Sequence, residues 1–225
     1  MTRFKTMLCL ASAAGALMMA TSTYAQESDK GFYAVARAGM AVNPDQKLDS
    51  ADLPSDATFD ERTKFKSGFT GEIGGGYDFG MFRIEQAGGY MSLKAKGLNG
   101  DDFSGDGRNK AMYVQLGAFV DIPTGTMIEP FVGGGFGIAR VDADFARSDN
   151  LLGTSSSYSG KDWGLLWHAD AGVGVKVAPK VTVELAGRYT QISGLKFDGM
   201  SGGQPAVFEP TMRTLSGTVG VRYKF

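Results

Sequence analysis

From residue 31 onward, apolar and polar residues alternate with a period of two. They do so in eight separate segments, near Gly31–Met40, Gly68–Phe79, Phe82–Leu93, Ala111–Ile122, Ile128–Val141, Asp162–Val177, Val181–Thr190 and Thr211–Phe225. Successive side chains of a β-strand point to opposite faces, so this period predicts strands. The one internal proline, Pro130, stands near the start of its segment, where a strand tolerates it.

The two parities differ in chemistry. One carries residues such as Phe69, Ile73 and Tyr77, then Val114, Leu116 and Val120, then Trp163, Leu165 and Trp167, then Val219, Val221 and Tyr223, and no charge within a strand. The other carries Arg37, Glu72, Asp78, Arg83, Glu85, Asp121, Glu129, Asp162, Asp170, Lys176, Glu184, Arg188, Arg222 and Lys224, with His168 among them. Arg140 and Arg213 break the rule only at strand ends, where a long basic side chain reaches toward lipid headgroups.

Connections alternate in length. Phe79-Gly80-Met81, Pro123-Thr124-Gly125 and Ala178-Pro179-Lys180 read as tight turns, while residues 41–67, 94–110, 142–161 and 191–210 read as long polar loops. An antiparallel meander puts the turns at one end and the loops at the other, as outer-membrane barrels do. A soluble sandwich or lipocalin-like barrel would share the alternation with its apolar face turned inward. Three features oppose that. The charged parity is rich in glycine (Gly74, Gly76, Gly133, Gly135, Gly137, Gly172, Gly174), which suits a crowded narrow lumen. Aromatics of the apolar parity gather near both strand ends, as interfacial girdles do. The third feature is the C-terminus, described below. Within a bilayer every backbone amide must be paired inside the protein, so the strands must close on themselves. The expected fold is all-β: an eight-stranded antiparallel up-and-down transmembrane β-barrel. Six basic and eight acidic inward residues would pair in its lumen, and the core of that network is expected at Arg37, Glu72, Arg83, Glu85, His168, Asp170, Glu184, Arg188 and Arg222.

Composition adds exclusions. The 225 residues suit one domain, and a formal net charge of -1 offers no basic excess for nucleic acid. One cysteine and one histidine exclude an internal disulfide and zinc sites built from those ligands. Residues 1–25 read as a secretory signal peptide: Arg3 and Lys5, the apolar run 7–20, then small residues before cleavage after Ala25. Residues 26–225 form the expected barrel. Removing the leader takes Cys9 with it and leaves 21 basic against 24 acidic residues.

The chain ends Gly220-Val221-Arg222-Tyr223-Lys224-Phe225. A glycine followed by alternating hydrophobics and a terminal phenylalanine resembles the signal read by the barrel-assembly machinery, with Gly220, Tyr223 and Phe225 as its marks. Together with Phe131-Val132-Gly133-Gly134-Gly135-Phe136-Gly137 and the turn Asp121-Ile122-Pro123-Thr124-Gly125, it makes residues 31–225 resemble the opacity-protein family of small bacterial surface antigens. That family shares its architecture with the OmpA-type transmembrane barrel. The resemblance implies a porin-family fold in the outer membrane of a Gram-negative cell, without the peptidoglycan-binding domain that OmpA carries. It places Arg37 where the first strand of OmpA-type barrels has a buried lysine.

Candidate chemistry is sparse. The glycine runs at 133–137 and 172–174 lack the strand–loop–helix setting and following Lys-Ser/Thr of a phosphate loop. Asp102-Phe103-Ser104-Gly105-Asp106-Gly107 begins like a calcium loop, but Tyr113 stands where the bidentate glutamate belongs. His168 and Asp170 share a face and form a possible general-base pair, yet neither Ser nor Cys stands beside them. The first loop is acidic (Asp45, Asp49, Asp52, Asp56, Asp60, Glu61) and ends in Arg62, Lys64 and Lys66. The expected protein is a monomeric surface barrel without catalysis, cofactor or metal. Its partners are outer-membrane lipid, lipopolysaccharide, the assembly machinery and a host or surface ligand met by the outer loops. A narrow porin-like channel is the alternative, and a lipid A-modifying enzyme a more distant one. Deleting Phe225 is expected to lower assembly yield in cells more than refolding yield in detergent. Equal losses in both would leave Phe225 a packing residue only.

Overall fold

The structure, a computed structural model, describes residues 30–48, 62–95, 103–149 and 154–225. The leader with its cleavage position Ala25, and Asp49, Asp52, Asp56, Asp60 and Glu61 of the acidic stretch, lie outside the described residues. Ten strands follow in chain order: β1 (Gly31–Leu48), β2 (Arg62–Asp78), β3 (Phe82–Ala95), β4 (Phe103–Asp121), β5 (Ile128–Asp149), β6 (Thr154–Ala178), β7 (Val181–Ser193), β8 (Phe197–Ser201), β9 (Gln204–Phe208) and β10 (Pro210–Lys224). Eight of them pair antiparallel in a ring, β1-β2-β3-β4-β5-β6-β7-β10, and β10 closes back on β1. The barrel leaves no edge open within the ring.

Its dimensions follow from the register. Starting at Phe32 and stepping across paired residues (Tyr77, Ile84, Ala118, Gly134, Ala169, Tyr189, Leu215), the path returns to β1 at Val42, ten residues further along. Eight strands with that stagger tilt by about 40° at ordinary strand spacing, leaving an interior that side chains fill. At that tilt about ten residues cross the apolar band of a bilayer. With 22 and 25 residues, β5 and β6 rise far beyond it.

The apolar parity faces outward. Ile73 is 73% exposed, Phe136 64% and Leu185 59%, and they belong to a belt around the barrel. At the short-turn rim the belt ends in a chain of rings: Phe32 to Tyr77, Tyr77 to Phe79, and Phe79 stacked on Phe82 at 4.5 Å. Trp167 meets Tyr189 at 5.2 Å toward the other end. The tight turn after β2 needs Gly80 at φ +103°, and its amide donates to Asp78 Oδ1 at 2.8 Å.

The strands run further into the long connections than the alternation indicates. Residues 41–48, 62–67, 103–110, 142–149 and 154–161 are strand rather than loop. Above the membrane a strand meets water on its outer face, so its apolar side turns inward and the parity changes. On β5, Phe136 and Ile138 face out, whereas Val141, Ala143 and Phe145 are buried inside. On β6, Leu165 faces out and Leu166 in. The same reasoning places the calcium-like stretch: from Phe103 onward it is strand β4, and an extended chain advancing about 3.3 Å per residue cannot wrap an ion. Its Tyr113 is buried in the lumen. Residues 191–210, read as a polar loop, contain the β8–β9 hairpin, turned by Gly202-Gly203 with both φ positive and paired to the upper part of β6.

A closed barrel resists SDS. Unheated protein is therefore expected to migrate faster on SDS gels than heated protein. Equal mobility together with solubility in detergent-free buffer would contradict the transmembrane ring.

Candidate functional site

The lumen has two layers. Toward the short-turn end, strands from all sides of the barrel converge charged residues that are distant in sequence. Arg37 of β1 contacts three carboxylates: Glu72 at 2.8 Å, Glu85 at 2.5 Å and Glu184 at 3.0 Å. Arg188 bridges Glu72 and Asp170, each at 2.5 Å. Arg222 reaches Glu184 at 3.3 Å and Asp121 at 3.4 Å. Arg83, with no exposed surface, reaches Asp121 and Glu184 at 3.1 Å and lies over the rings of Phe119 and Phe131 at 4.6 and 4.9 Å. His168 Nδ1 stands 2.5 Å from Asp170 Oδ2. All nine residues singled out for the network meet here.

Several members were not singled out. Asp121 lies on the inward parity, but only barrel closure reveals that Arg83 and Arg222 share it. The Tyr113 hydroxyl and the Gln115 amide donate to Glu72 at 3.3 and 3.2 Å, and the Tyr33 hydroxyl donates to Glu85 at 3.1 Å. Inward glycines make room for these large groups. A Cβ at Gly172 would stand 2.7 Å from Phe131 Cζ, and one at Gly76 2.7 Å from the Tyr33 hydroxyl. One at Gly135 would stand 2.6 Å from His168 Nε2. Gly220, expected as part of the assembly signal, faces Arg37 in register, and a Cβ there would come within 2.7 Å of Arg37 Cγ. Tyr223 and Phe225 point outward instead, and their rings meet at 5.6 Å.

Above the charges sits an apolar layer. Met91, Leu93, Ala111, Val141, Leu166, Ile192 and Met212 fill the upper lumen. Over them, Tyr158 stacks between Phe145 and Phe197 at 5.5 and 5.6 Å and touches Phe208 at 5.1 Å. The β8–β9 hairpin supplies Phe197 and Phe208, so it seals this core from one side. Where the layers meet, a cavity of about 10 Å³ lined by Arg37, Glu72, Met91, Tyr113, Arg188 and Thr190 has room for one water. Among the described residues, no group of three or more His, Cys, Asp or Glu is placed to hold a metal ion. His168 Nε2 is buried and has no hydrogen-bond partner there.

A closed eight-stranded ring, apolar outside and charged within, is the plan of a bacterial outer-membrane protein. The family model described as "Outer membrane protein beta-barrel domain" matches residues 11–225. The chain belongs to this family. Solved barrels resemble it in fold. OprG from Pseudomonas aeruginosa is 18% identical, with 87% of this chain and 96% of that one covered and a TM-score of 0.50. Neisserial surface protein A is 22% identical, with 87% and 97% covered and a TM-score of 0.48. Ail, the attachment invasion locus protein of Yersinia pestis, is 17% identical, with 86% and 99% covered and a TM-score of 0.43. No curated protein matches the chain in sequence.

Arg37 holds three carboxylates, each at 3.0 Å or less. Arg37→Ala leaves three buried carboxylates short of a partner and is expected to cost about 3–5 kcal/mol, measured by denaturant unfolding in lipid vesicles. The half-exposed pair Lys161–Asp142 provides the contrast, and Lys161→Ala is expected to cost less than about 1 kcal/mol. Comparable losses would mean the network is not what stabilises the lumen.

Proposed function

We propose that this outer-membrane barrel works as a surface protein that binds through its outer end, and that it neither conducts nor catalyses. One observation carries the reading: the lumen is filled twice over, by ion pairs below and by an apolar layer above. A solute crossing the barrel would have to part buried ion pairs and then displace Leu166, Ile192 and Tyr158, with only a water-sized space between. What the fold offers instead is a wall built on β5, β6, β8 and β9. Its aromatic core is internal, and its outer face carries Ser157, Ser159, Lys161 and Asp144. A surface built on paired strands is ordered before a ligand arrives, which lowers the entropic cost of binding. A host or surface ligand at that end, in the manner of an adhesin or surface antigen, fits this geometry.

The enzyme alternative rests on His168. General-base chemistry needs Nε2 within reach of a reacting hydroxyl or water. Here that nitrogen is buried against Gly135 and the Phe119 ring, with no hydroxyl bonded to it.

Planar bilayers containing the folded barrel are expected to show no unitary conductance steps, while cells bearing it bind a surface ligand that loop-deleted variants do not. Reproducible steps would establish the narrow channel. Lipid A mass spectra from cells making wild type, His168→Ala or no barrel are expected to coincide. A species present only with wild type would make the protein an enzyme.

A further inference from the structure

Immediately above the apolar belt, the outward face of β3–β6 becomes basic. Lys94 of β3 lies directly across from Arg108 of β4, and Lys110, two residues along β4, lies across from Ser92 and Asp142. Arg140 of β5 is paired with Met112 and sits one step below Asp142. All four basic side chains are exposed. Cross-strand neighbours stand about 5 Å apart and diagonal ones about 7–8 Å. Side chains as long as lysine and arginine therefore converge from these positions on one small anion.

Two details point to a ligand. Like charges directly opposite each other on a sheet repel, so Lys94 facing Arg108 is an arrangement that a counter-anion would relieve. Two carboxylates share this face: Asp142, across from Lys110, is engaged by Lys161 at 3.2 Å, and Asp144 lies across from Arg108. Lys94, Arg108, Lys110, Arg140 and Lys161 outnumber them. The basic row continues on neighbouring strands. Lys66 of β2 lies across from Lys94 in register, and Arg213 of β10 lies across from Gln191 of β7. Position selects the source of the anion. The patch begins where Tyr90, Met112 and Trp163 end the lipid-facing belt, and its side chains project sideways over the membrane rather than up into solvent. Arginine and lysine reach phosphate oxygens at such a boundary while their stems stay against apolar surface.

We infer that Lys94, Arg108, Lys110 and Arg140 form a binding site for the phosphorylated headgroup of an outer-leaflet lipid. The site rests on the barrel spanning the outer membrane with its long connections outward, and it is independent of whether the lumen conducts.

The test uses native mass spectrometry of the detergent-folded barrel with diphosphoryl lipid A, fully dephosphorylated lipid A and inorganic pyrophosphate as probes. Wild type is expected to bind diphosphoryl lipid A at least about tenfold more tightly than the Lys94→Gln, Arg108→Gln, Lys110→Gln, Arg140→Gln variant. Lys180→Gln, at the short-turn end, should bind like wild type. Dephosphorylated lipid should bind both proteins equally weakly, and equimolar pyrophosphate should not displace the lipid. Equal affinity of wild type and the fourfold variant, or undiminished binding of dephosphorylated lipid, would overturn the site. Displacement by equimolar pyrophosphate would overturn the lipid as its occupant. Heat-shifted gel mobility checks that the variant is folded. Should it fail to fold, Lys110→Gln with Arg140→Gln, a smaller change at exposed positions, is held to the same direction of effect. Conductance in bilayers would refute the sealed lumen and leave this outcome unchanged.

Discussion

The absence of water in the bilayer core governs the rest of the structure. A backbone amide there has no solvent to turn to, so each strand must find partners on both sides, and eight strands achieve this only as a ring. Closure at this strand number fixes the radius, and the radius decides what the inside holds. There is room for side chains and little else. Inward residues are thereby pressed into mutual contact, and an isolated inward charge would be desolvated without return. Arg37 with three carboxylates, and Glu184 shared by Arg37, Arg83 and Arg222, are the consequence. So are the glycines beside Phe131, Tyr33 and Arg37, because a ring of fixed circumference admits a large residue only where its neighbour gives up a side chain.

The same physics inverts at the membrane surface. Within the bilayer, apolar residues are stable outside and polar ones inside. Above it, water lies outside and the ordinary arrangement of a soluble protein returns. A single strand crosses both regimes without breaking, so the apolar parity changes along its length. In the crossover both faces are apolar, as at Leu165 and Leu166. That crossover is what makes the upper lumen a hydrophobic plug. Its aromatic end is completed by Phe197 and Phe208, from a hairpin that belongs to no part of the ring.

This inversion also explains what a reader of the sequence can and cannot obtain. Alternation, short turns and uncharged outward faces were legible from Phe32 to Phe225, because the bilayer imposes one rule on every strand it contacts. The lumen charges were legible as a set for the same reason. Their pairing was not, since Asp121 and Arg222 are about a hundred residues apart and meet only after closure. Strand ends were lost where the rule changes sign. Val141, Ala143 and Phe145 are as periodic as the residues below them, but in the opposite phase, and their polar outer neighbours read as loop. The Gly202-Gly203 pair was a hairpin signal in plain view, flanked by strands too short for alternation to register.

Stability and the proposed recognition consequently occupy different parts of one molecule. The ring and its ion pairs depend on nothing beyond the bilayer, so the outer end is free to vary without threatening the fold. Within that end the long β5 and β6 strands matter most. They carry backbone pairing from the membrane to the loop tips, continuous from Ile128 with Val175 up to Asp149 with Thr154. A ligand meeting such a wall contacts a surface whose conformational entropy has already been spent on folding. The face of that wall is also divided by height. Arg140 and Lys110 stand just above the apolar belt, and Ser157 and Ser159 stand higher on the same sheet. The inferred lipid site and the proposed ligand surface would therefore share one sheet, and the boundary between them would be the level at which the apolar parity changes side.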